Sequence, residues 1–342
     1  MKIKIKLILL LLIAIILYFI LPRSSDKLIF IPECSSKYAK EAIELQNTPI
    51  SSFDYLLLSM FDPKSGWVRV DSNTNLFKIY NTILKLNREK SRKMVMFGGE
   101  NIEDFTKKIA KQANLDSAKL LKKYKSIAYY ENGDIIAKKY NIPYKTTEES
   151  TIAYMVYKGH SIYRELLDNS GIKLPSSEFK KYLIIASIIE KETQNYKEMP
   201  LISAVIHNRL KKNMRLQFDA TLNYGKRAHS VITPQIIKSD NSKFNTYKHK
   251  GLPPEPLCSP SVSAFKAALK PAKVDYLYFV KSGFKHTFSK EYIEHTKKVK
   301  HYKKELAKAR AIKRKVYSVV DRGFKIEFVP IYPKFNFSLP IK

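Results

Sequence analysis

The sequence predicts an α+β protein led by a single apolar helix, and three observations carry that expectation. Leu7–Leu21 is a charge-free apolar run, short alternating segments interleave with runs of helical period, and no internal repeat or low-complexity tract is present. A length of 342 residues sets a prior of about two domains. Hydrophobic residues at 44% and aromatics at 12% exclude a disordered or collagen-like chain.

Lys2, Lys4 and Lys6 precede the fifteen residues Leu7–Leu21, and Pro22 ends them. As a helix this run is about 22 Å long against a hydrocarbon core of about 30 Å, a shortfall that flanking Ile3, Ile5 and snorkelling lysines cover. No small-x-small cleavage site follows, so an uncleaved anchor over 7–22 is expected rather than a signal peptide. The lysines place a cytoplasmic tail at 1–6 and the rest of the chain outside the cytoplasm. That topology decides the meaning of the charge. Lys plus Arg total 62 against 31 acidic residues, a net +31; anionic lipid or an acidic cell-wall polymer fits an exported domain, and nucleic acid does not.

From 23 to 126 a small α+β module is expected, with strands at Gly66–Val70 and Lys93–Phe97 and helices at Leu76–Leu86 and Ile102–Ala110. A boundary is placed near 127. Helices follow at Thr147–Ser170 and Ser177–Gln194, and Pro200 opens another through Lys212. Four prolines (Pro253, Pro254, Pro256, Pro260) stiffen a loop before the Ala-rich helix Val262–Leu269. A hairpin follows, Asp275–Val280 with Phe284–Phe288. Lys297–Lys315 carries ten Lys or Arg and one acid, Glu305, in a helical context: a solvated face in the plain reading, a contact with an anionic surface in the sharper one. Val316–Lys342 alternates enough to add one or two strands. Cys34 and Cys258 are too few for a disulfide framework and lack metal-site spacing; whether they pair is open.

One carboxylate stands out chemically. With Ile185 set at 0° on a helical wheel, Ile188, Ile189 and Tyr182 define an apolar face within about 60° of it, and Glu192 falls at about −20°, inside that face. Glu190 and Lys191 flank it. An ionised carboxylate on an apolar surface is costly, so its pKa rises and it becomes a proton donor near neutral pH. The helix alone does not separate this role from a buried ion pair with a lysine or from a merely exposed helix end. Met214–Gly225 then alternates large apolar residues with hydrogen-bonding ones, a pattern able to grip sugar hydroxyls and stack on sugar rings. Taken singly, Asp219 is equally a turn or helix cap, and Tyr224 equally core.

Eight motifs in order extend that reading: Ala186–Thr193, His207–Leu210, Met214–Asp219, Asn245–Tyr247, Gly251–Pro254, Pro271–Lys273, Tyr276–Val280 and His286–Phe288. Their sequence resembles the YceG-like (MltG) endolytic murein transglycosylases, densely over about 179–300. Ala220 stands where members often have Pro.

The resemblance implies a membrane-proximal LysM-like subdomain over 23–126 and a YceG-like catalytic domain over 127–305; the basic helix end and C-terminal extension over 306–342 are not covered by it. It implies Glu192 as the catalytic acid, with Gln217, Asp219, Tyr224, Asn245, Tyr247 and His286 as candidates for holding the glycan, and neither cofactor nor metal. The expected reaction breaks the MurNAc–GlcNAc bond inside peptidoglycan strands to leave a 1,6-anhydro end. Penicillin-binding proteins of the wall-synthesis machinery are candidate partners. The competing expectation is a noncatalytic peptidoglycan-binding scaffold.

Overall fold

The computed structural model describes residues 2–23, 27–33, 39–46, 48–71, 74–85, 89–282 and 285–320. Its contacts divide the chain into two compact units, 1–173 and 174–342.

The first unit begins with α1 (Lys2–Ile20), β1 (Pro22–Arg23), β2 (Lys27–Ile31), α2 (Ala39–Leu45) and α3 (Ser52–Ser59). β3 (Gly66–Val70), β4 (Thr74–Asn75), α4 (Leu76–Lys85), β5 (Ser91–Val95) and α5 (Ile102–Ala113) follow, then α6 (Ser117–Ile127), β6 (Lys139–Pro143) and α7 (Glu148–Ser170). Its strands pair antiparallel in twos: β1 with β4, β2 with β3, and β5 with β6. The helices start where the sequence supplies caps. Ser51 and Asp54 form a reciprocal capping box on α3, Asn101 accepts from the Asp104 N–H on α5, and Thr147 caps α7 through the Ser150 N–H.

α1 forms where the apolar run predicts it and ends before Pro22, with the side chains of Leu7–Leu21 largely exposed. Among the described residues, no helix is long and apolar enough to cross a membrane. The charge-free run is short for that task, and lysines interrupt the turns before it.

The two contact units meet at 173/174, so residue 127 lies within the first of them. Physically, one core runs through that point: Leu120 and Tyr124 of α6 are buried together with Tyr140, Ile152 and Tyr157, and with Phe30 and Trp67 from the earlier strands. Tyr154 lies 4.6 Å from the Phe30 ring and 4.9 Å from Trp67, so α7 is built into the module that precedes it.

Two features fix α7. At Gly159 an added Cβ would lie 1.9 Å from the Asp134 carbonyl oxygen, so only glycine permits this approach. The next residue, buried His160, places Nδ1 2.9 Å from Glu41 of α2 and Nε2 2.7 Å from Asp134. Asp134 also accepts the N–H groups of Tyr129 and Tyr130. Ionised carboxylates only accept, so the imidazole must carry both protons to satisfy both neighbours. Burial pushes the His160 pKa down, but the bonds to Asp134 and Glu41 outweigh it, and the net shift is upward. Burial likewise raises Glu41, yet His160 and Arg164 hold it at about 2.

The second unit comprises α8 (Ser176–Glu192), α9 (Met199–Lys211), α10 (Pro234–Ser239), α11 (Val262–Leu269), the hairpin β7 (Tyr278–Ser282) and β8 (Lys285–Ser289), and α12 (Tyr292–Val320). α8 opens one residue earlier than expected, with Pro175 at its N-cap and no side-chain cap bond. Pro200 sits in the first turn of α9, where its missing N–H costs nothing. The His207–Leu210 motif proves to be structural. Asn208 Nδ2 donates to the Val274 and Tyr276 carbonyls at 2.8 and 3.0 Å, while buried Arg209 donates to Leu277 and Leu216 at 2.6 Å each. These bonds hold the loop after α9 and the entry to β7 on one helix. Cys258 is buried, its Sγ 3.5 Å from the Ser187 carbonyl; Cys34 and the strands expected beyond 320 lie outside the described residues.

Gly159→Ala is expected to destabilise the chain by about 1–3 kcal/mol or more in chemical denaturation, because the Cβ meets backbone. The imidazolium contribution of His160 is fully present below its unfolded pKa of about 6.5 and is lost as pH rises through the higher folded value. Wild-type stability should therefore fall across that alkaline window, and His160→Gln should flatten the dependence; identical pH profiles for the two would contradict the imidazolium assignment.

Candidate active site

α8 delivers Glu192 as its last helical residue, with Thr193 turning to extended backbone at φ −149° and ψ 145°. The preceding apolar residues, Leu183 to Ile189, are buried and fix the helix, so its end is fixed too. Glu192 itself is only partly buried and remains reachable. Burial pushes its pKa up to about 8, the Asp219 carboxylate adds to the rise, and the Ala220 N–H and Lys281 oppose it. The C-terminal end of a helix dipole also disfavours an anion there. At neutral pH Glu192 is therefore mostly the neutral acid.

Glu190 has a different task. The wheel set it beside the apolar face, yet it is buried, because α11 covers that flank; its carboxylate accepts the Ser261 N–H at 2.8 Å at the start of α11. It is a packing contact that satisfies a helix start.

Beside Glu192, Gln217 and Phe218 lead into a short 3₁₀ turn (Asp219–Leu222), and this segment is zipped to 245–247. The Gln217 N–H donates to the Thr246 carbonyl at 3.2 Å, the Phe218 N–H to Thr246 Oγ1 at 3.1 Å, and Tyr247 OH to Asp219 Oδ1 at 2.7 Å. Gln217 adopts φ 54°, a left-handed conformation unusual outside glycine, held by these bonds. The Tyr247 bond favours an ionised Asp219, which in turn favours a protonated Glu192.

A second carboxylate lies close by in sequence and has the opposite character. Glu198 accepts the His286 backbone N–H at 3.1 Å and lies 2.7 Å from His286 Nδ1, with Thr193 Oγ1 at 3.4 Å. Burial raises its pKa, but the His286 bonds prevail and hold it low. Glu198 thus clamps hairpin β7–β8 to the residue that follows Glu192. In that hairpin Lys281 pairs in register with His286.

Of the sequence-predicted residues, Asp219 and Tyr247 converge on Glu192, Gln217 lies in the same turn, and His286 joins through Glu198. Asn245 must be corrected: it is fully buried, donating to the Ile237 and Asp240 carbonyls and accepting the Tyr247 N–H, so it braces the loop and does not face a glycan. Tyr224 stacks on Phe244 at 3.5 Å. Ala220, Glu198 and Lys281 were not anticipated. A backbone N–H leaves no residue signature, and the Glu198–His286 pairing spans 88 residues with no local pattern to betray it.

A model of the YceG-like family matches residues 40–301, more than half of the chain. The chain belongs to the YceG-like family. Among curated relatives, an endolytic murein transglycosylase of Bacillus subtilis (strain 168) is 38% identical over 145 residues, which is 39% of this chain and 39% of that protein. One of Streptococcus pneumoniae (strain ATCC BAA-255 / R6) is 34% identical over 160 residues, 44% of this chain and 28% of that protein. The match thus spans well under half the length of these relatives. A crystal structure of a yceG-like protein from Listeria monocytogenes aligns with a TM-score of 0.51 and 27% identity, over 79% of this chain and 97% of the other.

Carboxyl NMR on this YceG-like chain is expected to show Glu192 titrating at about 8. Asp219→Asn removes the like charge and should move that titration down; Lys281→Gln removes the opposing cation and should move it up. A Glu192 titration in the ordinary carboxylate range would remove the electrostatic account.

Proposed function

We propose that this chain is an endolytic lytic transglycosylase that cuts the MurNAc–GlcNAc bond within peptidoglycan strands. The observation that carries the reading is the reachable carboxyl of Glu192 at the end of α8, set among apolar residues and beside the Asp219 carboxyl. The family membership and the relatives named as endolytic murein transglycosylases support it. Glu192 donates its proton to the leaving glycosidic oxygen as the C1–O bond breaks. The Asp219 carboxylate, beside Glu192, stabilises the positive charge that develops on the ring. The muramic acid 6-hydroxyl then bonds to C1, and its proton passes to the Glu192 carboxylate, which restores the acid without water. Product strands carry 1,6-anhydro ends, and cuts inside strands limit their length.

The same proposal covers location. α1 enters the cytoplasmic membrane as a single-pass anchor with the N-terminus inside, snorkelling lysines and local thinning covering its short apolar run. The remainder of the first unit is then the membrane-proximal LysM-like part, the catalytic unit lies outside the cytoplasm, and penicillin-binding proteins are its partners. The +31 charge suits anionic lipid and peptide-bearing glycan.

Glu192→Gln is expected to lower turnover of purified glycan by about 10²–10⁴-fold with the fold intact, since the amide keeps the shape but not the proton. Glu190→Gln should act mainly on stability. Mass spectrometry should find anhydro ends; exclusively reducing, water-added ends would replace the transglycosylase reading with hydrolysis. Binding of glycan without any cleavage would favour the scaffold.

A further inference from the structure

The first unit carries an apolar surface that its own fold does not cover. On α3 and its C-cap residue Met60, Phe53, Leu56 and Met60 occupy positions i, i+3 and i+7, one face of the helix, while Asp54, Tyr55 and Leu58 form the opposite, buried face. Phe53, Leu56, Met60, the following Phe61 and Phe77 of α4 are exposed by 59, 62, 79, 64 and 67%. Scattered apolar side chains need no explanation, but five large ones grouped in this way do.

Their position relative to α1 identifies the occupant. The Tyr18 hydroxyl near the end of α1 donates to Asp54 Oδ1 at 2.6 Å, and Asp54 is the neighbour of Phe53. The Phe19 ring lies 6.1 Å from Tyr80 of α4, edge-on. Pro22, two residues past the helix, pairs in register with Asn75, two residues before Phe77. α1 therefore ends against both helices: it is bonded to α3 through Asp54, and the β1–β4 pair sets Phe77 two residues from the strand that follows α1. Basic residues accompany them: Lys64, Lys78 and Lys85 are exposed, α4 contains no acidic residue, and Asp62 is the one exposed acid between Phe53 and Lys64.

We propose that the Phe53–Leu56–Met60–Phe61 face of α3, with Phe77, rests in the lipid surface and seats the first unit on the membrane beside α1. The proposal rests on the anchor reading above. A helix with an apolar outer face and adjoining lysines lies in the headgroup boundary, and a tyrosine at the end of an apolar helix sits at that level. A single helix fixes distance from the membrane but leaves rotation free. A second contact removes that freedom and sets one orientation for the chain attached to it.

The test uses the full chain reconstituted in vesicles of mixed neutral and anionic phospholipid, with a fluorescent non-natural residue placed in turn at Leu12, Leu56 and exposed Lys122. Quenching by lipid-borne nitroxide is compared with quenching by aqueous iodide. A lipid-to-water quenching ratio at Leu56 about fivefold above that at Lys122 is expected. If Leu12 meets the lipid quencher while Leu56 behaves like Lys122, the anchor stands and the interfacial face is overturned. If Leu56 meets the lipid quencher and Leu12 does not, the face is retained and the anchor reading fails. Shielding of Leu56 from both quenchers overturns the proposal in favour of a protein partner or a second copy.

Discussion

The active unit depends on keeping one carboxyl neutral. Glu192 sits at the negative end of a helix dipole, against buried apolar residues and beside Asp219, three influences that all oppose its charge. Such a group is expensive unless something holds the like charge in place, and much of the surrounding loop serves that purpose. Arg209 and Asn208 pin the loop backbone, Thr246 bonds residues 217 and 218, and Tyr247 holds Asp219. Fully buried Asn245 braces the segment from which Tyr247 projects. The polar residues around Glu192 thus act largely on its proton affinity.

Two other carboxylates show the opposite solution to burial. Glu198 and Glu41 both pay for desolvation, yet a histidine bonded to each keeps them ionised. Their bonds join elements distant in sequence, Glu198 linking the segment after α8 to β8, and Glu41 linking α2 to α7. Five residues lie between Glu192 and Glu198, and their pKa values move in opposite directions because one faces a carboxylate and the other an imidazole.

The first unit shows how apolar surface is apportioned between core and environment. Phe30, Trp67 and Tyr154 assemble around β2–β3 and α7 and hold residues 28–157 in one core. α3 buries one face and leaves the other apolar, which a water-facing helix ordinarily avoids. The capping box at Ser51 and Asp54 gives this short helix its start, and Asp54 also accepts from Tyr18, so the cap that begins α3 orients it against α1.

The sequence by itself determined the local elements and which carboxylate ends α8 on its apolar side. Period, caps and punctuation placed the helices at 76–85, 102–113, 148–170, 199–211 and 262–269 and the 278–289 hairpin within a few residues, because these signals act over one or two turns. The wheel singled out Glu192 over Glu190 for the same reason. The continuity of the core through residue 127 was not legible in this way, since the burial of Leu120 and Tyr124 with Phe30 depends on strands some ninety residues earlier in the chain. Nor were the burial of Glu190 under α11, the Glu198–His286 clamp, the bracing role of Asn245 or the Ala220 N–H at the acid. Tertiary structure decided each of these, because desolvation and charge–charge coupling depend on what lies opposite a side chain in space, and a pattern along the chain carries only what lies beside it.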